Sequence, residues 1–284
     1  MVDKPKGFTS FDIVAQTRKR FHCKAVGHTG TLDPFATGLL VLLLGRYTRL
    51  CEYVSAQDKT YEAEICFGFG TDTDDCEGQV IATADASGLT LEQIKKALQG
   101  FLGKQLQVPP QYSAISIRGE RAYQKARRGE KSDLLARPIT IYSWVLLPAQ
   151  NPPPNLSLTA EKGKKVRLRL RVSKGTYIRA IARDLGTKLG IPAHLNNLRR
   201  IACGSYDISE CSPRLQTGIQ AIRDLPLLAV DQLQADALKK GQRPEIPIST
   251  EDPETQRVFL AHCNEDPIAL VRLEQGRLIP VRGF

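Results

Sequence analysis

The segment Gly27–Gly38, GHTGTLDPFATG, carries one histidine and one carboxylate among small and polar residues. His28 and Asp33 stand directly ahead of the apolar run Leu39–Leu44. Gly27 and Gly30 flank His28-Thr29, so the backbone there can turn sharply or approach a ligand closely. Pro34 pushes Asp33 towards extended backbone and keeps its carboxylate on a loop. A polar loop anchored on a buried strand or helix is a common mount for a catalytic carboxylate. The same residues also make an Asp-Pro turn, in which the aspartate bonds its own backbone. Residue types alone leave both readings open.

Two other groups of side chains could do chemistry or hold a charged partner. Asp72, Asp74 and Asp75 in TDTDD suggest a cation loop, but the downstream glutamate of a calcium-binding EF-hand is missing. YQKARRGEK (Tyr123–Lys131) gathers Lys125, Arg127, Arg128 and Lys131 beside Tyr123. With Arg199, Arg200 and the polar face of Lys165–Arg171, these are candidates for phosphate contacts, against the plainer reading of a solvated charged face. The whole chain supports a polyanion partner: 40 Lys+Arg against 30 Asp+Glu leave a formal charge of +10 over 284 residues. The seven cysteines are scattered without a CxxC pair and the four histidines are isolated, so no metal site is expected. Reduced thiols, the absence of a signal-like start, and an apolar run far short of the ~20 residues a bilayer needs point to the cytoplasm and away from a membrane.

The elements that must position these groups read as a mixture of strands and helices. Lys59–Phe69 alternates, with Tyr61, Ala63, Ile65 and Phe67 on one side. Ile139–Leu147 is β-branched and aromatic. In Lys164–Ile178, Val166, Leu168, Leu170 and Val172 point one way and Arg167, Arg169 and Arg171 the other, as in a strand with one wet face. Thr90–Gly103 and Tyr177–Gly190 have helical spacing; the first opens on a Thr90/Gln93 capping box and the second closes on a glycine. The expected fold is α+β, a large, mixed, mostly antiparallel sheet flanked by helices. Proline-rich Pro148–Ser157 reads as an excursion between two strands. A boundary near Asp224–Pro226 precedes a helix over Val230–Lys240, a turn at Gly-Gln-Arg-Pro and a few short strands. No internal repeat is present.

GHTGTLDPFATGLL resembles the defining catalytic motif of the TruB family of RNA pseudouridine synthases. DKPKGFTS (Asp3–Ser10), DKTYEAEICFGFGTDTDDCEG (Asp58–Gly78), PPQYSAISIRGERAYQKARRGE (Pro109–Glu130), SKGTYIRAIARDLG (Ser173–Gly186) and HLNNLRR (His194–Arg200) resemble further motifs of that family, in its order. The resemblance implies the pseudouridine synthase fold over residues 1–224, with an RNA-gripping insertion at about 109–135. Residues 225–284 resemble, more weakly, the small PUA-like module of bacterial members. Two departures are visible: only Met1 and Val2 precede the DKP motif, and the C-terminal module is short.

The resemblance further implies isomerisation of uridine to pseudouridine at position 55, in the T-arm loop of tRNA. The N-glycosidic bond breaks, the uracil turns over, and C5 bonds to C1′, without cofactor or metal. Asp33 would be the catalytic aspartate, by attack on C1′, attack on the base or removal of the C2′ proton. Tyr61 would stack on the base and Arg179 would pair with Asp33. Tyr177 and Leu198 would line the uridine pocket, His28 would hold the opened RNA loop, and Asp75 would join the same charge network as a substrate-side group. Arg127, Arg128, Arg199 and Arg200 would meet the RNA backbone. From spacing alone, Tyr61 and Leu198 also read as core and Arg179 as a helix arginine paired with Asp184. The expected partner is tRNA, bound by a monomer that needs no protein partner. Rival readings are a guide-RNA-dependent ribosomal RNA synthase and a tRNA-folding chaperone without essential catalysis.

Overall fold

A computed structural model of the chain describes residues 1–117, 119–148, 163–246 and 257–284. The excursion expected at Pro148–Ser157 lies, beyond Pro148, outside the described residues. One large sheet organises most of the rest. Its strands are β1 (Val2–Lys4), β2 (Thr37–Leu40), β3 (Lys59–Phe67), β4 (Gly103–Gln107), β5 (Arg137–Leu147), β6 (Lys164–Val172), β7 (Ala193–Cys203) and the short β8 (Tyr206–Asp207). Among the described residues they run in the order β1-β2-β7-β3-β6-β5-β4, with β8 paired to β7. Every neighbouring pair is antiparallel except β2 and β7.

Alternation in the sequence decides which face of this sheet is wet. Val166, Leu168, Leu170 and Val172 of β6 are all buried, in one core with Ala63, Ile65 and Phe67 of β3. Each valine, leucine, isoleucine or phenylalanine among them contributes about 1.5–3 kcal/mol by leaving water. On the other face, Arg169 and Arg167 pair with Glu62, Lys165 with Glu64 and Arg171 with Asp58. That basic stripe is therefore one side of a cross-strand ion ladder. The strand's own sequence shows the arginines; only the register with β3 shows the acids that neutralise them.

Helices flank the sheet, and those at 91–99 and 178–189 cover its buried face. α1 (Ser10–Phe21) and α2 (Leu91–Gln99) both begin in capping boxes, Thr9 with Asp12 and Thr90 with Gln93. α2 stops short of Gly103, where β4 begins. α3 (Ile178–Leu189) buries Ile178, Ile181, Ala182 and Leu185 in the main core and ends at Gly190, whose φ of 69° suits a left-handed C-cap. The apolar run after Asp33 divides in two: Leu39 and Leu40 belong to β2, fully buried, whereas Leu42–Leu44 pairs with a short strand at Val26–His28. Gly38 permits the entry into β2. Its φ is 107°, and a Cβ there would stand 2.2 Å from the Arg200 carbonyl oxygen of β7.

The C-terminal residues form a four-stranded sheet from β9 (Leu227–Ala229), β10 (Val258–Cys263), β11 (Asp266–Glu274) and β12 (Arg277–Gly283), with α4 (Gln232–Lys239) against it. Leu238, Ala261, Val271 and Leu278 give it a separate small core. Leu50, Ile222, Leu225, Leu260 and Leu270 join it to the body of the molecule, and the Tyr47 and Phe284 rings meet edge-on at 6.0 Å. No helix among the described residues is long and apolar enough to cross a membrane.

Candidate active site

Asp33 sits where the expected turn is. The Ala36 N–H donates to the Asp33 carbonyl oxygen at 3.1 Å, so the backbone does turn at Asp-Pro. The carboxylate, however, is spent elsewhere. Arg179 donates to it through Nε at 3.0 Å and Nη2 at 3.3 Å. This two-pronged contact fixes the plane and direction of the carboxylate. The turn and the functional group are thus the same residue, backbone and side chain doing different things.

The loop around Asp33 is clamped from three sides. Leu32, Phe35 and Ala36 sink into the main core. The Ser10 hydroxyl at the start of α1 accepts from the Leu32 N–H at 2.9 Å. Lys4, fully buried, donates to the carbonyls of Pro5, Phe8 and Pro34, and the Gly7 N–H donates to the Pro34 carbonyl. A buried lysine with three carbonyl acceptors has its donors satisfied without a carboxylate. Lys4 and Ser10 were not singled out from residue type; their signal was the DKPKGFTS segment that contains both.

Arg179 stands in the first turn of α3, 5% exposed. Beyond Asp33 it donates from Nη1 to Asp75 at 3.2 Å and to the Thr73 carbonyl, and from Nη2 to the Tyr112 carbonyl. Asp184 is taken instead by Arg183, which also pairs with Asp74 at 3.0 Å. Asp75 lies behind the guanidinium, not on the cleft wall. Its other oxygen accepts from the Thr73 hydroxyl and the Glu77 N–H. It touches Arg179 and the acidic loop, so it meets the cleft through the arginine it holds and through its charge on Asp33.

Asp33 and Arg179 form the floor of a cleft of about 300 Å³ whose walls include Tyr61, Tyr177 and Leu198. Tyr61 on β3 and Leu198 on β7 face the same side because the two strands pair with Arg200 opposite Tyr61 and Leu198 opposite Ala63. Tyr177 caps α3 and is held by a reciprocal pair of hydrogen bonds with the Gln107 side chain. Burial pushes the Tyr177 phenol above its ordinary value. Burial likewise pushes the Asp33 carboxyl up; the Arg179 guanidinium pulls against that push and the Asp75 charge adds to it.

Of the other residues expected at the site, His28, Arg127, Arg128 and Arg199 stand outside this wall. His28 is half-buried on the strand beside the loop, its Nδ1 accepting from the Gly30 N–H at 3.3 Å. Burial and the Arg200 charge lower its pKa, which favours the neutral ring that such an acceptor requires. Arg127 is exposed over the Tyr123 ring, and Arg128 pairs with Glu120 and Glu130. Arg199 pairs with Asp3 at 2.6 Å. Arg200 departs most from the expectation of a surface cation: it is 2% exposed and lines the cleft.

The family profile for the TruB family pseudouridylate synthase N-terminal domain matches residues 18–178, which carry Asp33, Tyr61 and Asp75. The chain belongs to the TruB family. Full-length relatives agree. A tRNA pseudouridine synthase B of Corynebacterium efficiens is 40% identical over 85% of this chain and 82% of its own length. One of Roseobacter denitrificans is 38% identical over 99% of this chain and 93% of its own, and one of Bacillus cytotoxicus 35% over 89% and 86%. The TruB architecture also superposes on chains from an H/ACA RNP bound to a substrate RNA containing 2'-deoxyuridine (TM-score 0.69, 99% of this chain and 83% of that one) and from a Cbf5-Nop10-Gar1 complex (0.67, 99% and 82%), both at 20% identity. At that identity the likeness is one of fold.

Proposed function

We propose that this TruB protein isomerises uridine to pseudouridine at position 55 in the T-arm loop of tRNA, with Asp33 as the catalytic aspartate. The observation that carries the reading is the Asp33 carboxylate, gripped by Arg179 at the floor of a cleft walled by Tyr61, Tyr177 and Leu198. Relatives at 35–40% identity over most of their length are tRNA pseudouridine synthases B. A cleft of this size suits one nucleoside rather than a paired stem, so the target base leaves its stack to enter. Tyr61 and Leu198 offer it a flat aromatic and an aliphatic surface, and an aromatic face offsets part of the unstacking cost. Arg179 keeps Asp33 aimed at the nucleoside while the glycosidic bond breaks, the uracil turns over, C5 bonds to C1′, and the C5 proton is lost as N1 gains one. The cleft walls keep the detached uracil beside the sugar until the new bond forms. Residues 1–224 act as the catalytic domain and 225–284 as the PUA-like module. The strand pair Ser116–Ile117/Glu120–Arg121 and helix Ala122–Arg127 are the insertion that meets the T-arm. The protein acts in the cytoplasm as a monomer, without a guide RNA.

The test is pseudouridine mapping on an unmodified tRNA transcript incubated with this protein alone. Product at position 55 is expected. Asp33→Asn is expected to form none while binding the transcript nearly as tightly as wild type; retained turnover in that variant would falsify the assignment. A guide-dependent enzyme would be inert in this mixture, and a chaperone would refold the transcript without modifying it.

A further inference from the structure

Arg200 differs from the other buried cations of the molecule. Arg179 faces two carboxylates, and Lys4 gives its three donors to three carbonyls. Arg200 is equally buried, but among the described residues it forms no ion pair. Its Nε donates to the Leu39 carbonyl at 2.8 Å and its Nη2 to the Gly30 carbonyl at 3.0 Å, whereas Nη1 has no partner there. It lines the catalytic cleft directly opposite Tyr61 in the sheet. Lys59 lines the same cleft, two positions before Tyr61 and so on the same face of β3. It is 7% exposed, donates to the Ser55 and Gln57 carbonyls, and pairs with no carboxylate among the described residues. Thr29, 1% exposed, adds an unpartnered hydroxyl to the same wall.

A buried charge is costly unless a counter-charge or a full set of acceptors offsets it, and among the described residues Arg200 has neither, since Nη1 is unspent. The cost is visible in the neighbours: after burial itself, the Arg200 charge is among the causes that depress Lys59, and it depresses His28 as well. Arg179, not Arg200 or Lys59, holds the Asp33 carboxylate, so the two cations in the cleft wall remain for another part of the bound nucleotide. A guanidinium fork suits the oxygens of a phosphate, the one permanent anion of an RNA strand.

We propose that Arg200, with Lys59 beside it, is the seat for a phosphodiester flanking the flipped uridine, and that this contact positions the nucleoside over Asp33. The inference rests on the isomerase reading above. It is tested on the substrate side, which leaves the fold untouched. A T-arm stem-loop carries a methylphosphonate at the linkage 5′ or 3′ of the target uridine, each compared with an RNA of the same sugars and ordinary phosphate. In wild type, one of the two replacements is expected to lower kcat/KM by about tenfold to a hundredfold, the range for losing a charged hydrogen bond. In Arg200→Gln the same replacement should cost no more than about threefold, because the partner is already gone. Arg200→Lys, which keeps the charge, should recover part of the wild-type penalty. Indifference of the wild type to both replacements, or penalties that simply multiply in Arg200→Gln, overturns the seat. Failure of the wild type to turn over the ordinary RNA would instead sink the isomerase reading, and the seat with it.

Discussion

Replacing Asp75 by asparagine separates the two jobs of the arginine–carboxylate network. Asp75 is 5% exposed and gives the buried Arg179 guanidinium one of its two carboxylates, at 3.2 Å. Removing the only partner of a buried charge costs about 3–5 kcal/mol. Here Asp33 remains, two-pronged, on the same guanidinium. The loss should therefore resemble one hydrogen bond to a charged group, about 2 kcal/mol. At ~2–4 °C per kcal/mol for a chain of this size, Tm falls by about 4–8 °C. The pH profile supplies the decisive sign. In the proposed function Asp33 acts ionised, and its carboxyl is pushed up by burial, pulled back by Arg179 and pushed up again by the Asp75 charge. Activity is thus lost as pH falls through a raised pKa. Removing the Asp75 charge removes an upward push, so the acid limb of kcat/KM moves to lower pH in Asp75→Asn even as its plateau drops. The matched control is Asp74→Asn, which breaks the more exposed contact with Arg183 and should leave the limb where it was. A single-turnover profile from acid to neutral pH reads both. An acid limb that stays fixed in Asp75→Asn, or moves upward, refutes the electrostatic argument.

Other substitutions probe the mount rather than the charges. Gly38→Ala places a Cβ 2.2 Å from the Arg200 carbonyl oxygen at a left-handed φ, and should cost at least about 3 kcal/mol in a denaturant titration. Lys4→Met leaves the carbonyls of Pro5, Phe8 and Pro34 without their donor, and should lower stability by about 2–4 kcal/mol and kcat with it, since Pro34 follows Asp33. Arg169→Gln removes a half-exposed rung of the ion ladder, worth at most about 1 kcal/mol, and should change tRNA affinity by no more than about twofold in a filter-binding assay. A large loss of affinity there would mark that face as a phosphate-binding surface.

What could be read in advance followed from periodicity and end signals. β6 announced its two faces by strict alternation, and α2 and α3 announced their ends by a capping box and a C-terminal glycine. Both signals are local, so no partner is needed to see them. Charge was the opposite case. Arg167, Arg169, Arg171 and Arg199 looked like free cations because the acids that pair with them come from elsewhere in the chain: Glu62 from β3, Asp58 from just before it and Asp3 from β1. A net charge of +10 says how many cations are unmatched in total but not which ones.

The same limit explains why Asp33 was ambiguous. A turn aspartate and a gripped aspartate have the same local sequence; the difference is Arg179, 146 positions away. The grip requires α3 to start over the cleft, and this follows from β6 and β7. β6 ends at Val172 and β7 begins at Ala193, both on β3, so the α3 segment must cross the buried face between them. The apolar stripe of α3 holds it there, which leaves its first turn, with Tyr177 and Arg179, at the end of the sheet where the Asp33 loop also arrives. The geometry of the Asp33–Arg179 contact is thus a consequence of where one strand ends and the next begins. A substitution that loosens the α3 stripe, Leu185→Ala for instance, should therefore lower kcat as well as the ~2–5 kcal/mol of stability that a buried leucine contributes, although Leu185 is a core residue outside the cleft lining.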